Sequence, residues 1–274
     1  MGTFNAIASA IFDVLLAPLG HTRPWFDLVV WPVLAGIVAL LVYKAISNQK
    51  GITRSKNAIQ VNLLEVVLFK DDLRTVLPAT AKALGNNALY LGHNIIPMVV
   101  MFAPMTAILV QIVSNYGYAP LPVGETTLLV VHLDENVPGF LTPRDVTLDL
   151  PKGVTLDAPP VRTADGEVAW RLRLDEAGDH VLKLHAGAQT EEKLLQVGGE
   201  ARKVSPLRTK SWEALLYPAE PVPSADSFAE SIRIDRRDQD LGVFPAGEGG
   251  ILLWFFGFSL AAGFLLKDRF GVTL

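Results

Sequence analysis

The stretch Ala83–Gly124, ALGNNALYLGHNIIPMVVMFAPMTAILVQIVSNYGYAPLPVG, contains no Asp, Glu, Lys or Arg. A helix crossing a hydrocarbon core of roughly 30 Å needs about 17–25 mostly apolar residues. The centre of the stretch, residues 95–113, supplies them. Its flanks, Gly85-Asn86-Asn87 and Ser114-Asn115-Tyr116-Gly117, are too polar and Gly-rich for membrane core. A hairpin of two spans inside the window is the alternative reading. Two further windows share the absence of charge, Leu28–Tyr43 and Gly249–Leu266. They predict spans over residues 26–45 and 251–267. Trp25, Trp31 and Tyr43 mark the interfaces of the first, and Lys44 snorkels to the headgroups. The 274-residue chain is 50% hydrophobic and 19% charged, whereas a soluble domain carries about 25% charged residues. The three windows hold most of that apolar excess, which excludes a purely soluble enzyme.

Charge then orients the spans. Residues 46–90 carry Lys50, Arg54, Lys56, Lys70, Arg74 and Lys82 against Glu65, Asp71 and Asp72, a local balance of +3. Ahead of the first span Arg23 is the one basic residue. The positive-inside rule places 46–90 in the cytoplasm, the N-terminus outside and the C-terminus inside. Residues 115–249 then face the outer side, the periplasm if the membrane is a bacterial inner membrane. The segment Glu125–Glu248 has 14 basic and 22 acidic residues, or −8. The net charge of −4 argues against nucleic acid as a partner. With no cysteine, disulfides, thiolate metal sites and cysteine nucleophiles are excluded. Residues 1–12 lack Lys and Arg, and no small-residue cleavage site follows an apolar run, so the start does not read as a signal peptide.

Outside the spans, the first 25 residues read as an interfacial amphipathic helix. Phe4, Ile7, Ala8, Ile11, Phe12, Leu15 and Leu19 share one face, opposite Asn5, Ser9 and Asp13. That face lies in the membrane interface or packs on another subunit. Residues 120–200 show strand-like runs at Thr126–Leu133, Asp145–Leu150, Glu167–Leu174, His180–His185 and Glu191–Val197, separated by Pro, Gly and Asp turns. They predict an immunoglobulin-like β-sandwich without its inter-sheet disulfide. Residues 201–248 read as a less regular arm, with short helices at Ser211–Leu216 and Ser227–Ile232 and a solvated mixed-charge run from Arg233 to Asp240.

The cytoplasmic stretch 46–94 points toward function. Ile59, Leu63, Val66 and Val67 fall at helical spacing within Asn57–Phe69. Lys70-Asp71-Asp72 offers a turn and an acidic N-cap. A second helical segment then runs through Pro78 to Leu84, with Gly85 as its stop. The product is a basic, partly apolar helical hairpin at the membrane surface. Behind it, Met98, Met101 and Met105 recur at i, i+3 and i+7, with Asn94 a turn earlier and Thr106 adding polarity. A flexible Met face suits many apolar sequences, and it equally suits ordinary packing between spans. Gln111 points elsewhere and is placed to bond another helix near the outer interface.

In this order of elements the sequence resembles the Oxa1 superfamily of membrane insertases, with YidC and the EMC3-like proteins among its members. The likeness rests on an amphipathic segment with Phe4-Asn5 and Pro18, an N-out first span, a basic hairpin containing Phe69-Lys70-Asp71-Asp72, and the run Asn94–Met105 entering the next span. It covers residues 1–115 and, by position, the last span. The uncharged Leu28–Tyr43 resembles the EMC3-like branch more than YidC, whose bacterial relatives carry an arginine there. The resemblance implies a three-span helical membrane protein that assists insertion or assembly of other membrane proteins, without a cofactor. Its partners would be membrane lipids and hydrophobic client segments or other membrane subunits. It also implies a lipid-open polar groove, for which Asn94, Met98, Met101, Met105 and Thr106 are the candidates. The basic hairpin set is Lys44, Lys50, Arg54, Lys56, Lys70 and Arg74. The alternative is an anchoring subunit of a larger complex whose outer β domain binds a protein partner.

The third span offers Gly257-x-x-x-Ala261 and Ser259-x-x-x-Gly263, small residues that let helices approach. They suit packing against the other spans or against a partner subunit. His21, His93, His132, His180 and His185 are scattered without a metal-ligand spacing, and no phosphate loop or nucleophile elbow is present. An enzyme is not expected.

Overall fold

The computed structural model describes residues 24–135, 145–199 and 203–273. The expected amphipathic helix at residues 1–25 lies almost wholly outside them. The described residues form four α-helices, α1 (Pro24–Ile46), α2 (Gln49–Leu68), α3 (Leu73–Tyr116) and α4 (Gly247–Leu266), with one 3-10 helix, Trp212–Leu215. Among the described residues α1, α3 and α4 are long and apolar enough to cross a membrane, and the chain is an integral membrane protein. It divides into two compact units. One holds Leu109–Leu253 with the start of α1 up to Leu28, and the other holds Val29–Ile108 with Trp254–Leu274.

The first unit contains the β domain. Its strands are β1 (Thr126–Leu133), β2 (Val146–Asp149), β3 (Val154–Arg162), β4 (Glu167–Leu174), β5 (Gly178–Ala186), β6 (Gln189–Val197), β7 (Leu207–Thr209) and β8 (Ala229–Ile234). They form one sheet of order β3-β4-β1-β8-β7 and another of order β2-β5-β6. Both sheets contribute to one apolar core. Leu129, Val131, Trp170, Leu172, Ile232 and Ile234 come from the first sheet, and Val146, Leu182, Leu184, Leu195 and Val197 from the second. Alternation produces this: in β4 the core positions Val168, Trp170, Leu172 and Leu174 are separated by Ala169, Arg171 and Arg173.

Two pieces of the arm expected at 201–248 join the sheet as β7 and β8. Ser227–Ile232, expected as a helix, gives way to β8, which lies between β1 and β7. The physical reason is a period of two at its end, where Ile232 and Ile234 are buried and Arg233 is exposed. Ser211 does cap the 3-10 turn, its hydroxyl accepting from Glu213 N–H. Strand β3 had no counterpart in the sequence reading because Pro159-Pro160 interrupts it. It lies at a sheet edge with register shifts, where proline removes no interior ladder bond.

Polar pairs close this unit. Lys193 on β6 is fully buried, its Nζ donating to Glu220 Oε1 at 2.6 Å and to Ser205 O at 2.8 Å. Burial pulls its ammonium down to about 8, against the opposing pull of Glu220. Beside it Arg208 meets Glu191 at 2.7 Å. Tyr118 and Tyr217 both donate to Glu248 Oε1 in the first turn of α4. Burial and then the Glu248 charge push the Tyr217 phenol up to about 12, and burial and the bond to Glu248 raise Tyr118 further. Asp27 of α1 and Tyr116 of α3, both buried, share a hydrogen bond.

Candidate functional site

The second unit carries the hairpin, and it is built as two antiparallel helices. Asn48 caps α2 through Oδ1, which accepts from Gly51 N–H at 3.0 Å. At the other end Asp72 caps α3, with Oδ1 accepting from Arg74 N–H at 3.1 Å and Oδ2 from the Thr75 hydroxyl at 2.7 Å. A Cβ at Gly51 would meet His93 Nε2 at 2.8 Å, which brings the start of α2 against the middle of α3. The buried positions of α2 are Ile52, Ser55 and Asn62, and on the first part of α3 Ala79 and Ala83 are buried.

The expected stop at Gly85 is overturned. α3 runs unbroken for 44 residues through Gly85 and Gly92, so the second hairpin segment and the second span are one helix. Nothing lies within 4 Å of a Cβ at Gly85, and its φ is helical in sign. Local glycine chemistry yields here to the capping at Asp72 and the apolar run behind it.

Opposite its packed face the hairpin exposes apolar side chains. Val61, Leu64 and Leu68 form an i, i+3, i+7 stripe on α2, Leu68 being 74% exposed. Leu73, Leu77 and Leu84 are exposed on α3. Lys50, Arg54, Lys56, Lys70, Arg74 and Lys82 are exposed on the same two helices and their turn. Lys50 and Arg54 border a shallow open depression with Gln49, Thr53 and Asn57. Lys44 differs from the rest, because its Nζ donates to Phe270 O at 2.6 Å.

The span residues separate into two groups. Asn94 accepts from the Tyr43 hydroxyl and donates to Tyr90 O at 2.6 Å. Met101 packs on a buried cluster of Leu40, Tyr43, Ile52 and Val272. Met98 is 60% exposed, while Met105 and Thr106 are half-buried. Asn94 and Met101 thus meet α1 and the segment after α4, and Met98 faces outward. Gln111 is buried, and its main-chain carbonyl accepts from Asn115 Nδ2 at 2.8 Å.

The small residues of α4 are also redistributed. A Cβ at Gly257 or Gly263 would meet nothing within 4 Å, and Gly257 and Ala261 are exposed. They do not pack on the other spans of this chain. The close approach is made by Gly36 of α1, where a Cβ would sit 2.3 Å from Ser259 O. The buried positions of α4, Ile251, Phe255, Ser259 and Ala262, lie on the face away from Gly257. Ser259 stands in the expected small-residue pair, whereas Gly36 is marked in the sequence only as the lone glycine inside Leu28–Tyr43.

The histidines hold ordinary pairings. His132 lies 3.6 Å from Glu167 and 3.7 Å from Glu230 across neighbouring strands. His185 meets Asp149 at 3.0 Å, while His180 turns to the buried face and contacts Glu176 O. Carboxylates therefore do stand beside two of them, brought there by strand pairing. Among the described residues no group of three or more His, Cys, Asp or Glu is arranged to hold a metal ion.

No family model matches the chain, and no curated protein matches it. Among solved structures the chain is similar to the crystal structure of the S-layer protein SbsC domains 4 and 5, at 14% identity and a TM-score of 0.24. That match covers 31% of this chain and 49% of the other. The crystal structure of the S-layer protein rSbsC(31-844) is similar at 15% identity and a TM-score of 0.25. There the match covers 34% of this chain and 13% of the other. The chain thus matches about half of the first and an eighth of the second.

Proposed function

We propose that this chain assists the insertion or assembly of membrane proteins, in the manner of the Oxa1, YidC and EMC3-like insertases it resembles. The observation that carries this reading is the hairpin. It exposes the apolar stripe Val61, Leu64 and Leu68 among basic side chains, and its second helix runs directly into the span bearing Asn94 and Met101. An exposed apolar stripe on a charged helix pair needs an occupant, and an apolar client segment supplies one. Polar groups within the span, the Tyr43–Asn94 pair first, lower the cost of moving a client's polar flank across hydrocarbon. In this reading the hairpin is cytoplasmic, the chain is N-out and C-in, and residues 115–249 face the periplasm of a bacterial inner membrane. The β domain is then an immunoglobulin-like sandwich that recruits a client or partner. A photocrosslinker placed at Leu68 or Met98 should form an adduct with a short-tailed membrane protein during its synthesis. Silence at both positions removes the proposal.

A second reading, an anchoring subunit of a larger membrane complex, is favoured by the outward face of α4, where Gly257 and Ala261 are exposed. Purification in mild detergent separates the two. A stoichiometric partner supports the second, and a monodisperse monomer sinks it.

A further inference from the structure

The segment Lys267–Thr273 after α4 turns back on the second unit. Its turn is a Schellman motif, with Val272 N–H donating to Lys267 O at 2.8 Å and Gly271 N–H to Asp268 O at 3.1 Å. Gly271 sits at a φ of +64°, the left-handed conformation that this motif demands and that glycine adopts without strain. The turn seats Val272, 5% exposed, among Leu40, Tyr43 and Ile52, with Tyr90, Met101 and Phe270 packed around it. On either side of the valine, side chains read the main chain of the strap. Lys44 Nζ donates to Phe270 O at 2.6 Å, and Thr273 N–H donates to Gln49 Oε1 at 2.8 Å.

An apolar socket flanked by one donor and one acceptor for peptide groups accepts an aliphatic side chain with little regard to its neighbours in sequence. We infer that this cleft is a binding site for an apolar segment of another polypeptide, and that the strap is a ligand from the same chain that fills it at rest. The inference rests on the proposed role in handling hydrophobic clients, and it adds where a client side chain sits and what competes with it. The occupant is defined by the strap itself: one aliphatic side chain, one carbonyl acceptor and one N–H donor. A client segment reproduces all three. The hold on the strap is limited to Val272, the partly buried Phe270 and two hydrogen bonds, and the Lys44 bond is exposed to solvent. Its attachment to α4 gives it a high effective concentration, so isolated weak ligands lose the competition. A client held at the same time on the hairpin stripe has the same advantage.

The test uses the full chain in lipid nanodiscs and a leucine-rich decapeptide carrying benzophenone. Three forms are compared: the unaltered protein, a released form and a locked form. Val272→Asp releases the strap without altering any residue that lines the cleft. Because the chain has no cysteine, Ile52→Cys with Val272→Cys can be joined by a bis-methanethiosulfonate cross-linker, which forms a disulfide with each cysteine by expelling methanesulfinate and is reversed by reduction. A strap that is closed nine-tenths of the time lowers apparent affinity about tenfold. Adduct formation on residues 40–52 should rise by about that factor on release. It should vanish on locking and return on reduction. Equal labelling in the three forms, including none in any, overturns the inference. The nascent-chain adducts from Leu68 and Met98 are scored separately. If they form while cleft labelling ignores the strap, the proposed function stands and the cleft falls. If labelling follows the strap without them, the cleft stands and the role in insertion falls.

Discussion

Gly36 and Gly257 are both helical glycines in apolar spans, and a methyl group added to each meets a different fate. At Gly36 it would lie 2.3 Å from the Ser259 carbonyl oxygen, a backbone atom that moves only if α1 and α4 separate. Overpacking of this kind costs about 1–3 kcal/mol. At Gly257 nothing lies within 4 Å, and alanine in a helix gains about 0.5–1 kcal/mol over glycine. Thermal unfolding in detergent should therefore show Gly36→Ala melting lower than the parent and Gly257→Ala melting no lower. Lys193 carries a prediction of another kind. Its folded value of about 8 lies below the ordinary 10.5, so between those values the unfolded chain binds more protons. Stability from this group therefore rises as pH climbs from about 8 towards 10.5. A Lys193→Met, Glu220→Gln double variant lacks that rise. Denaturant melts at pH 7 and pH 10 should show the parent gaining on it by up to roughly 3 kcal/mol. Lys193→Met alone leaves the Glu220 carboxylate without its ammonium partner, and removing one member of a buried pair costs about 3–5 kcal/mol.

At the scale of elements, α3 and β8 were both misread from local signals, for opposite reasons. Gly85 carries the chemistry of a helix stop, but a stop requires a left-handed residue there, and the flanking turns are good helix. Gly85→Ala should raise the melting temperature, because helical φ and open space at Cβ favour alanine by about 0.5–1 kcal/mol. A drop would show a left-handed cap at that position. In β8 the local signal was present but short: Ile232-Arg233-Ile234 alternates, while Ser227–Ala229 does not. Six residues with a half-period cannot outweigh the turn-rich composition around them. The sheet supplies the missing term, since β1 and β7 both offer ladder partners. The strands read from sequence share a longer alternation, and β1 and β4 coincide with their expected ranges. Asp72 was legible as a cap for the same local reason, its carboxylate lying within reach of the N–H groups that follow it.

For the molecule as a whole, length is the governing quantity. At 1.5 Å per residue, the 44 residues of α3 measure about 66 Å, roughly twice the hydrocarbon thickness. Half of that length is enough to span, and the half that follows α2 leaves Leu73, Leu77 and Leu84 exposed. The proposed orientation makes that half cytoplasmic, which cysteine labelling checks directly in a cysteine-free chain. An impermeant maleimide should label Asp165→Cys in intact spheroplasts, and Lys70→Cys only after permeabilisation. Reversed labelling would invert the topology. Of the candidate site, Asn94, Met101 and Lys44 were legible, because membrane helices rarely carry polar or flexible side chains without a use for them. Tyr43, Gln49 and Val272 were not, since nothing local marks them as neighbours. The amino-acid sequence alone determined the three apolar windows, the basic hairpin and the strand alternation, all set by interactions with solvent, lipid or the adjacent turn. Only the tertiary structure decided that Gly36 rather than Gly257 lets two spans touch, that β8 joins the sheet, and that Val272 fills the cleft beside Met101. Those outcomes depend on which surfaces meet across long separations in the chain, and residues at such separations leave no periodic trace in either segment.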